Sequence, residues 1–150
     1  MDKVYKGLIA GSIGGLAASW IMTRFQSLFG NTHEGEEEDA TVKTAQKIST
    51  HELTPEEKKK AGPLVHYAYG TGIGALYGGL AQKYNTTKAG FGAAYGTAAW
   101  AVGDELAVPA LGLGKKPTEV PASQQLQMLA AHLVYGVTLE GVRRLTLKVL

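Results

Sequence analysis

The fourteen residues from His66 to Gly79 carry five glycines, no charge and no proline. In water each glycine costs a helix ~1 kcal/mol relative to alanine, so this should be a poor helix. The spacing argues otherwise. His66, Gly70, Gly74 and Gly78 recur every four residues, which keeps them near one helix face. A bilayer resolves the conflict. With no water to satisfy the backbone, a spanning segment must bond to itself, and helix is the default. Small residues at every fourth position then let a second backbone approach closely. The stretch is expected to cross a membrane, with a glycine groove along it and one polar residue, His66, at its head.

The rest of the chain divides in the same terms. Its 150 residues suffice for one domain. The absence of cysteine excludes disulfides and thiolate metal sites. A net charge of +2 is too small to suggest nucleic acid. Apolar residues make up only 45%, but most charges fall between Arg24 and Lys60 and in short flanks, leaving four long, nearly uncharged runs.

The first run, extended over residues 5–29, reaches the ~20 residues that a bilayer requires. It repeats the spacing with Gly7, Gly11, Gly15 and Ser19, and Trp20 suits a membrane interface. Lys3, Lys6 and the small residues Ala17-Ala18-Ser19 also fit a signal peptide. Trp20-Ile21-Met22 continues the apolar run past that supposed cleavage site, which favours a retained helix. Residues 30–61 read as an extramembrane loop. It holds an acidic cluster (Glu34, Glu36 to Asp39), a short amphipathic helix over residues 41–49, and the helix start Thr54-Pro55-Glu56-Glu57. Further spans are expected at 62–82, 88–106 and 121–142. The fold is then an all-α integral membrane bundle of four transmembrane helices with Gly-x-x-x-Gly packing.

Antiparallel spans sort the polar residues by face. Arg24, His66, Asp104 and Glu105 fall on one face. Lys3, Lys6, Lys83, Lys88, Glu140, Arg143 and Arg144 fall on the other. Intramembrane acids usually pair or line a wet cavity, which makes Arg24 the natural partner of Asp104 or Glu105, with His66 beside them. Glu140 can reach Arg143 or Arg144 along its own helix. The motif His-x-x-Tyr-Gly occurs twice, at His66 and His132, with Tyr-Gly again at Tyr77-Gly78 and Tyr95-Gly96. It reads either as a duplicated hairpin or as chance in a Tyr/Gly/Ala-rich chain. His132 lies deeper in its helix than His66 does.

Several segments together resemble the YagU-like family of small bacterial inner-membrane proteins. They are Gly11-x-x-Gly-Gly-Leu-Ala-Ala-Ser-Trp-Ile-Met-Thr-Arg24, Ala61-Gly-Pro-Leu-Val-His66-Tyr-Ala-Tyr-Gly70, Trp100-Ala-Val-Gly-Asp104-Glu105 and His132-x-x-Tyr-Gly-x-x-x-Glu140-Gly-Val-Arg-Arg144. The resemblance spans all four runs but not the acidic loop. It implies a multi-helix protein of the bacterial inner membrane, with no established biochemical activity and a loose association with acid-stress survival. It supplies no catalytic residues.

Three functions compete. The first is a non-catalytic structural or accessory protein. It would pack against other transmembrane helices, in a homo-oligomer or a larger membrane complex, through Gly7, Gly11, Gly15, Gly70, Gly74 and Gly78. The second is a proton-linked stress protein or small conduit using Arg24, His66, Asp104, Glu105 and His132. The third is a soluble helical domain, disfavoured because glycine-rich helices are marginal in water. Enzyme chemistry is not expected, since no nucleophile–base pair, phosphate loop or metal motif is present. No cofactor is expected either, because the two histidines lie at different depths and lack a metal or haem spacing.

Overall fold

The computed structural model describes residues 2–29 and 39–150. The acidic cluster expected at Glu34 and Glu36 to Glu38 lies outside them. Among the described residues the chain is all-helical. Helix α1 spans Lys3–Leu28, α2 Ala40–Ile48 and α3 Pro55–Lys83. A 3-10 segment, Asn85–Gly92, leads into α4, Ala93–Val102. A π-helical turn, Gly103–Ala107, joins α4 to the short α5, Val108–Ala110. A 3-10 turn at Pro117–Glu119 precedes α6, Ala122–Leu147.

Two glycine seams set the packing. Gly7, Gly11 and Gly15 of α1 face Gly78, Gly74 and Gly70 of α3, backbone against backbone. A methyl group added to Gly11 would strike the Gly74 carbonyl and lie 2.8 Å from Gly78 Cα. The second seam joins α4 to α6. Gly92 and Gly96 meet the carbonyls of Gly136 and His132, and Gly136 in turn meets the Gly92 carbonyl. Helix α1 also packs on α6, where Gly14 faces the Leu139 backbone.

On α1 small residues turn inward and large apolar ones outward. Helix α1 buries Gly7, Ala10, Gly11, Gly14, Gly15, Ala18, Ser19 and Met22. Its outward stripe of Ile9, Ile13, Leu16 and Trp20 is exposed, with Leu16 at 52% and Trp20 at 51%. The buried cluster is Ala18, Met22, Tyr77, Ala81, Ala131, Tyr135 and Leu139. By length and composition one helix, Lys3–Leu28, is apolar enough to cross a membrane.

Two element boundaries depart from the sequence expectation. The second span is expected to begin at residue 62, but Pro63 lies inside α3, which begins at Pro55. A capping box starts it there: the Thr54 side chain accepts from Glu57 N–H, and Glu57 Oε2 accepts from Thr54 N–H at 2.8 Å. The hydrogen bond that Pro63 cannot donate would have reached Lys59, which is exposed, so water can serve that carbonyl. The third run does not start as a helix at Lys88. Gly90, Phe91 and Gly92 all have positive φ, which unwinds the chain until Ala93. Phe91 is the one non-glycine among them, and the Arg144 guanidinium lies 4.6 Å from its ring centre.

Thr54 N–H and Thr54 Oγ1, both bonded to Glu57, hold the Glu57 carboxyl below its ordinary range. The charged cap is therefore fully present above that range and is lost as pH falls through the lowered value. The protection of amides in the first turn of α3, corrected for the pH dependence of intrinsic exchange, should fall only on acidification below the ordinary glutamate range, and Thr54→Ala should lower it already at neutral pH. For the seam, Gly11→Ala should lower stability by about 1–3 kcal/mol because both neighbours are backbone. Gly72→Ala, which meets nothing within 4 Å, should be neutral or stabilising by up to about 1 kcal/mol. Equilibrium unfolding of the two variants side by side checks both.

Candidate functional site

Two polar groups stand out in this interior. The first closes one end of the bundle. Glu140 on α6 is 0% exposed. Its Oε2 accepts from Tyr77 Oη of α3 at 2.7 Å and from Arg143 Nε at 2.7 Å. Its Oε1 accepts from Arg143 Nη2 at 3.0 Å and from Arg144 Nε at 2.6 Å. Four donors on one carboxylate leave it fully satisfied, which is what a buried charge requires. Arg143 is itself buried and lies over the Tyr77 ring, whereas the Arg144 side chain is half exposed. The grouping of Glu140, Arg143 and Arg144 was legible as a helical spacing. Tyr77, which ties it to another helix, was not.

The second group lines a cavity of about 1290 Å³ toward the other end. Its wall includes His66, Asp104, Glu105, His132, Ser19 and Tyr135. Asp104 and Glu105 ride on the π turn, where Val108 N–H bonds back to the Gly103 carbonyl. One extra residue in a helical turn re-aims the side chains it carries, and such turns recur at functional sites. Asp104 Oδ2 lies 3.7 Å from His132 Nε2. His66 Nε2 lies 3.4 Å from Thr23 Oγ1 on α1. Ser19 Oγ is buried without a hydrogen-bond partner.

The structure thus gathers four of the five residues named for the polar cluster, His66, Asp104, Glu105 and His132, and the pairing differs from the expectation. Arg24 does not line the cavity, and its guanidinium lies 5.5 Å from the Trp20 ring centre. Depth alone put it beside Asp104, but its neighbour Thr23 is the residue that turns inward. His132 shares the depth of Asp104 because the third run continues to Ala110 instead of ending at Leu106. Among the described residues no cluster of three or more His, Asp or Glu could hold a metal ion.

The Tyr-Gly pairs also acquire a physical meaning. In three of them the glycine lies at a helix seam while the tyrosine reaches another helix. Tyr135 Oη donates to the Gly70 carbonyl at 2.5 Å, Tyr95 Oη to the Ile73 carbonyl at 2.7 Å, and Tyr77 Oη to Glu140. Signals for these partners were present only as the repeated dipeptide.

Fold and site together define, among the described residues, an all-helical protein with one sealed ionic end and one open polar cavity. Residues 41–141 match the profile of DUF1440, described as a protein of unknown function. That is more than half of the chain, and the chain belongs to this family. The matched region holds His66, Asp104, Glu105, His132 and Glu140 but not the glycines of α1 or the two arginines after Glu140. No curated protein and no solved structure matches the chain.

Removing Glu140 while leaving Arg143 buried should cost about 3–5 kcal/mol. Tyr77→Phe should cost about 1.5–3 kcal/mol, the value of a buried hydrogen bond to a charge. Arg144→Gln should cost under about 1 kcal/mol because that side chain is half in solvent. The ranking is readable from unfolding midpoints of Glu140→Ala, Tyr77→Phe and Arg144→Gln.

Proposed function

We propose that the protein is a multi-pass integral membrane protein of the bacterial inner membrane, without catalytic activity, that acts by packing in an oligomer or a larger membrane complex. The observation that carries this reading is the inverted distribution of side chains. On α1 glycine, alanine and serine, with Met22, face inside. The apolar stripe Ile9, Ile13, Leu16 and Trp20 lies outside. In water each such residue, about half exposed, forgoes roughly half of the ~1.5–3 kcal/mol that full burial gives. Against lipid it loses nothing, and backbone-to-backbone glycine contacts are the natural way for helices to associate there. Helices α1, α3 and α6, with 26, 29 and 26 residues, exceed the span length, and α4 to α5 would supply the fourth crossing. Tyr, Gln and Gly lower the hydropathy of these later helices, and the exposed charges of α3 and α6 fall at helix ends, at Glu56, Glu57, Lys59, Lys60, Lys83 and Arg144. The resemblance to the YagU-like proteins points to the same location.

Membrane fractionation is the test. The protein should sediment with membranes after detergent-free lysis and remain there through an alkaline wash. Recovery in the aqueous supernatant would overturn the reading. Purification in mild detergent should yield a stable oligomer or a partner, and a lone monomer would count against the packing role.

A second reading, proton linkage in acid stress, draws on Asp104 and His132, 3.7 Å apart in a cavity. Under it, Asp104→Asn combined with Glu105→Gln should abolish any proton flux that the reconstituted protein supports. Unchanged flux and unchanged acid survival would remove its basis.

A further inference from the structure

Charge is divided unevenly between the two ends of the bundle. At the end closed by Glu140, α1 begins with Lys3 and Lys6, α3 ends at Lys83, and the 3-10 segment carries Lys88. Helix α6 and its C-cap add Arg143, Arg144 and Lys148. The packing brings these together. Gly7 meets Gly78 and Gln82, Gly92 meets Gly136 and the Glu140 side chain, and Lys6 Nζ donates to the Leu150 carbonyl at 2.6 Å. Among the described residues two carboxylate side chains, Asp2 and Glu140, stand against these seven cations. The fold uses both. Asp2 accepts from Val4 N–H at 3.1 Å to start α1, and Glu140 is sealed by Tyr77, Arg143 and Arg144. The other eight cations and eleven carboxylates of the sequence fall within residues 24–60 and 104–119. The rim around Glu140 is therefore basic, and neither of its acids is free to neutralise it.

One cation of this rim is fixed in place. Arg144 Nε donates to Glu140 Oε1 at 2.6 Å, and the guanidinium lies 4.6 Å from the Phe91 ring centre, while half of the side chain stays exposed. Phe91 holds that position with a left-handed backbone, φ 55°, which a non-glycine residue seldom adopts and which recurs where a ligand is clamped. Tyr5 and Tyr84 are exposed at the same end, with Lys83 Nζ 5.3 Å from the Tyr84 ring centre. Tyrosine and lysine at helix ends suit the headgroup level of a bilayer. We propose that this rim docks acidic phospholipids, with the preset Arg144 guanidinium as its fixed contact to the anionic headgroup. The rim adjoins apolar surface: the outward stripe of α1 begins at Ile9, about 4.5 Å of helix rise from Lys6. A molecule with an anionic head and an apolar tail meets both, which a nucleic acid or an acidic peptide does not. Basic residues at an acidic lipid surface are attracted to it one by one. Resting on the membrane reading, this assignment adds the class of lipid that the protein meets.

The test is thermal unfolding of the full-length protein in non-ionic detergent. Phosphatidylglycerol or phosphatidylcholine with the same acyl chains is added at equal mole fraction. Phosphatidylglycerol should raise the midpoint by about 5 °C more than phosphatidylcholine does. Arg144→Gln should remove about half of that difference, whereas Lys59→Gln, at the opposite end of α3, should leave it whole. Inorganic phosphate at the same concentration should not reproduce it. Equal midpoints in the two lipids, an equal effect of inorganic phosphate, or an equal loss in Lys59→Gln would each overturn the proposal. So would an Arg144→Gln protein that keeps the full difference. If that variant does not fold, Lys83→Gln combined with Lys88→Gln takes its place under the same criteria. A protein that sediments with membranes yet does not distinguish the two lipids overturns this proposal alone. One recovered in the aqueous supernatant overturns the membrane reading and this proposal with it.

Discussion

The contact of α1 with α3 through bare backbone is the constraint on which the rest of this structure depends. Gly7, Gly11 and Gly15 leave no side chain between the two helices, and Gly70, Gly74 and Gly78 answer them. The close approach is what allows a tyrosine on one helix to reach the next. Tyr135 can bond the Gly70 carbonyl because Gly70 exposes it and Ser19, opposite, is small. The same logic repeats at Gly96 and Gly136, where α4 meets α6. Glycine at these positions therefore does two jobs. It brings helix axes together, and it uncovers backbone oxygens as acceptors for the tyrosines.

The two ends of the bundle are built differently. At one end Glu140 collects four donors from Tyr77, Arg143 and Arg144, so no valence is left open. At the other the π turn carries Asp104 and Glu105 into the wall of an open cavity. A saturated carboxylate stabilises the fold.

The four-residue spacing of glycine and the helix start at Thr54 were readable in the sequence because each is a local rule with a short reach. So was the grouping of Glu140 with its arginines, which needs only the helical repeat. The errors arose where local rules met tertiary structure. Pro63 reads as a break, yet it sits where water can serve the freed carbonyl. The late start of α4 follows from left-handed backbone at Gly90, Phe91 and Gly92, of which Phe91 gives no sequence warning. Arg24 was placed by depth, but rotation about the helix axis decides what a residue faces. That rotation was not available from spacing in α1 alone, where small residues occupy more than one face. The π turn at Gly103 has no sequence signature, so the pairing of Asp104 with His132 could not be read in advance.

The inverted packing of α1 also bears on how this sequence can drift. In a protein with a large-residue core, the interior resists change and the polar surface varies freely. Here the seam positions Gly7, Gly11, Gly15, Gly74 and Gly78 admit one residue type, since nothing smaller than glycine exists and anything larger meets a main chain. The outward positions Ile9, Ile13 and Leu16 need only bulk and oiliness, so Leu, Ile, Val and Phe are interchangeable there. Related chains should accordingly diverge most in the large apolar residues and least in the smallest ones. Sequence identity among them would then be carried by a ladder of glycines with a period of one helical turn.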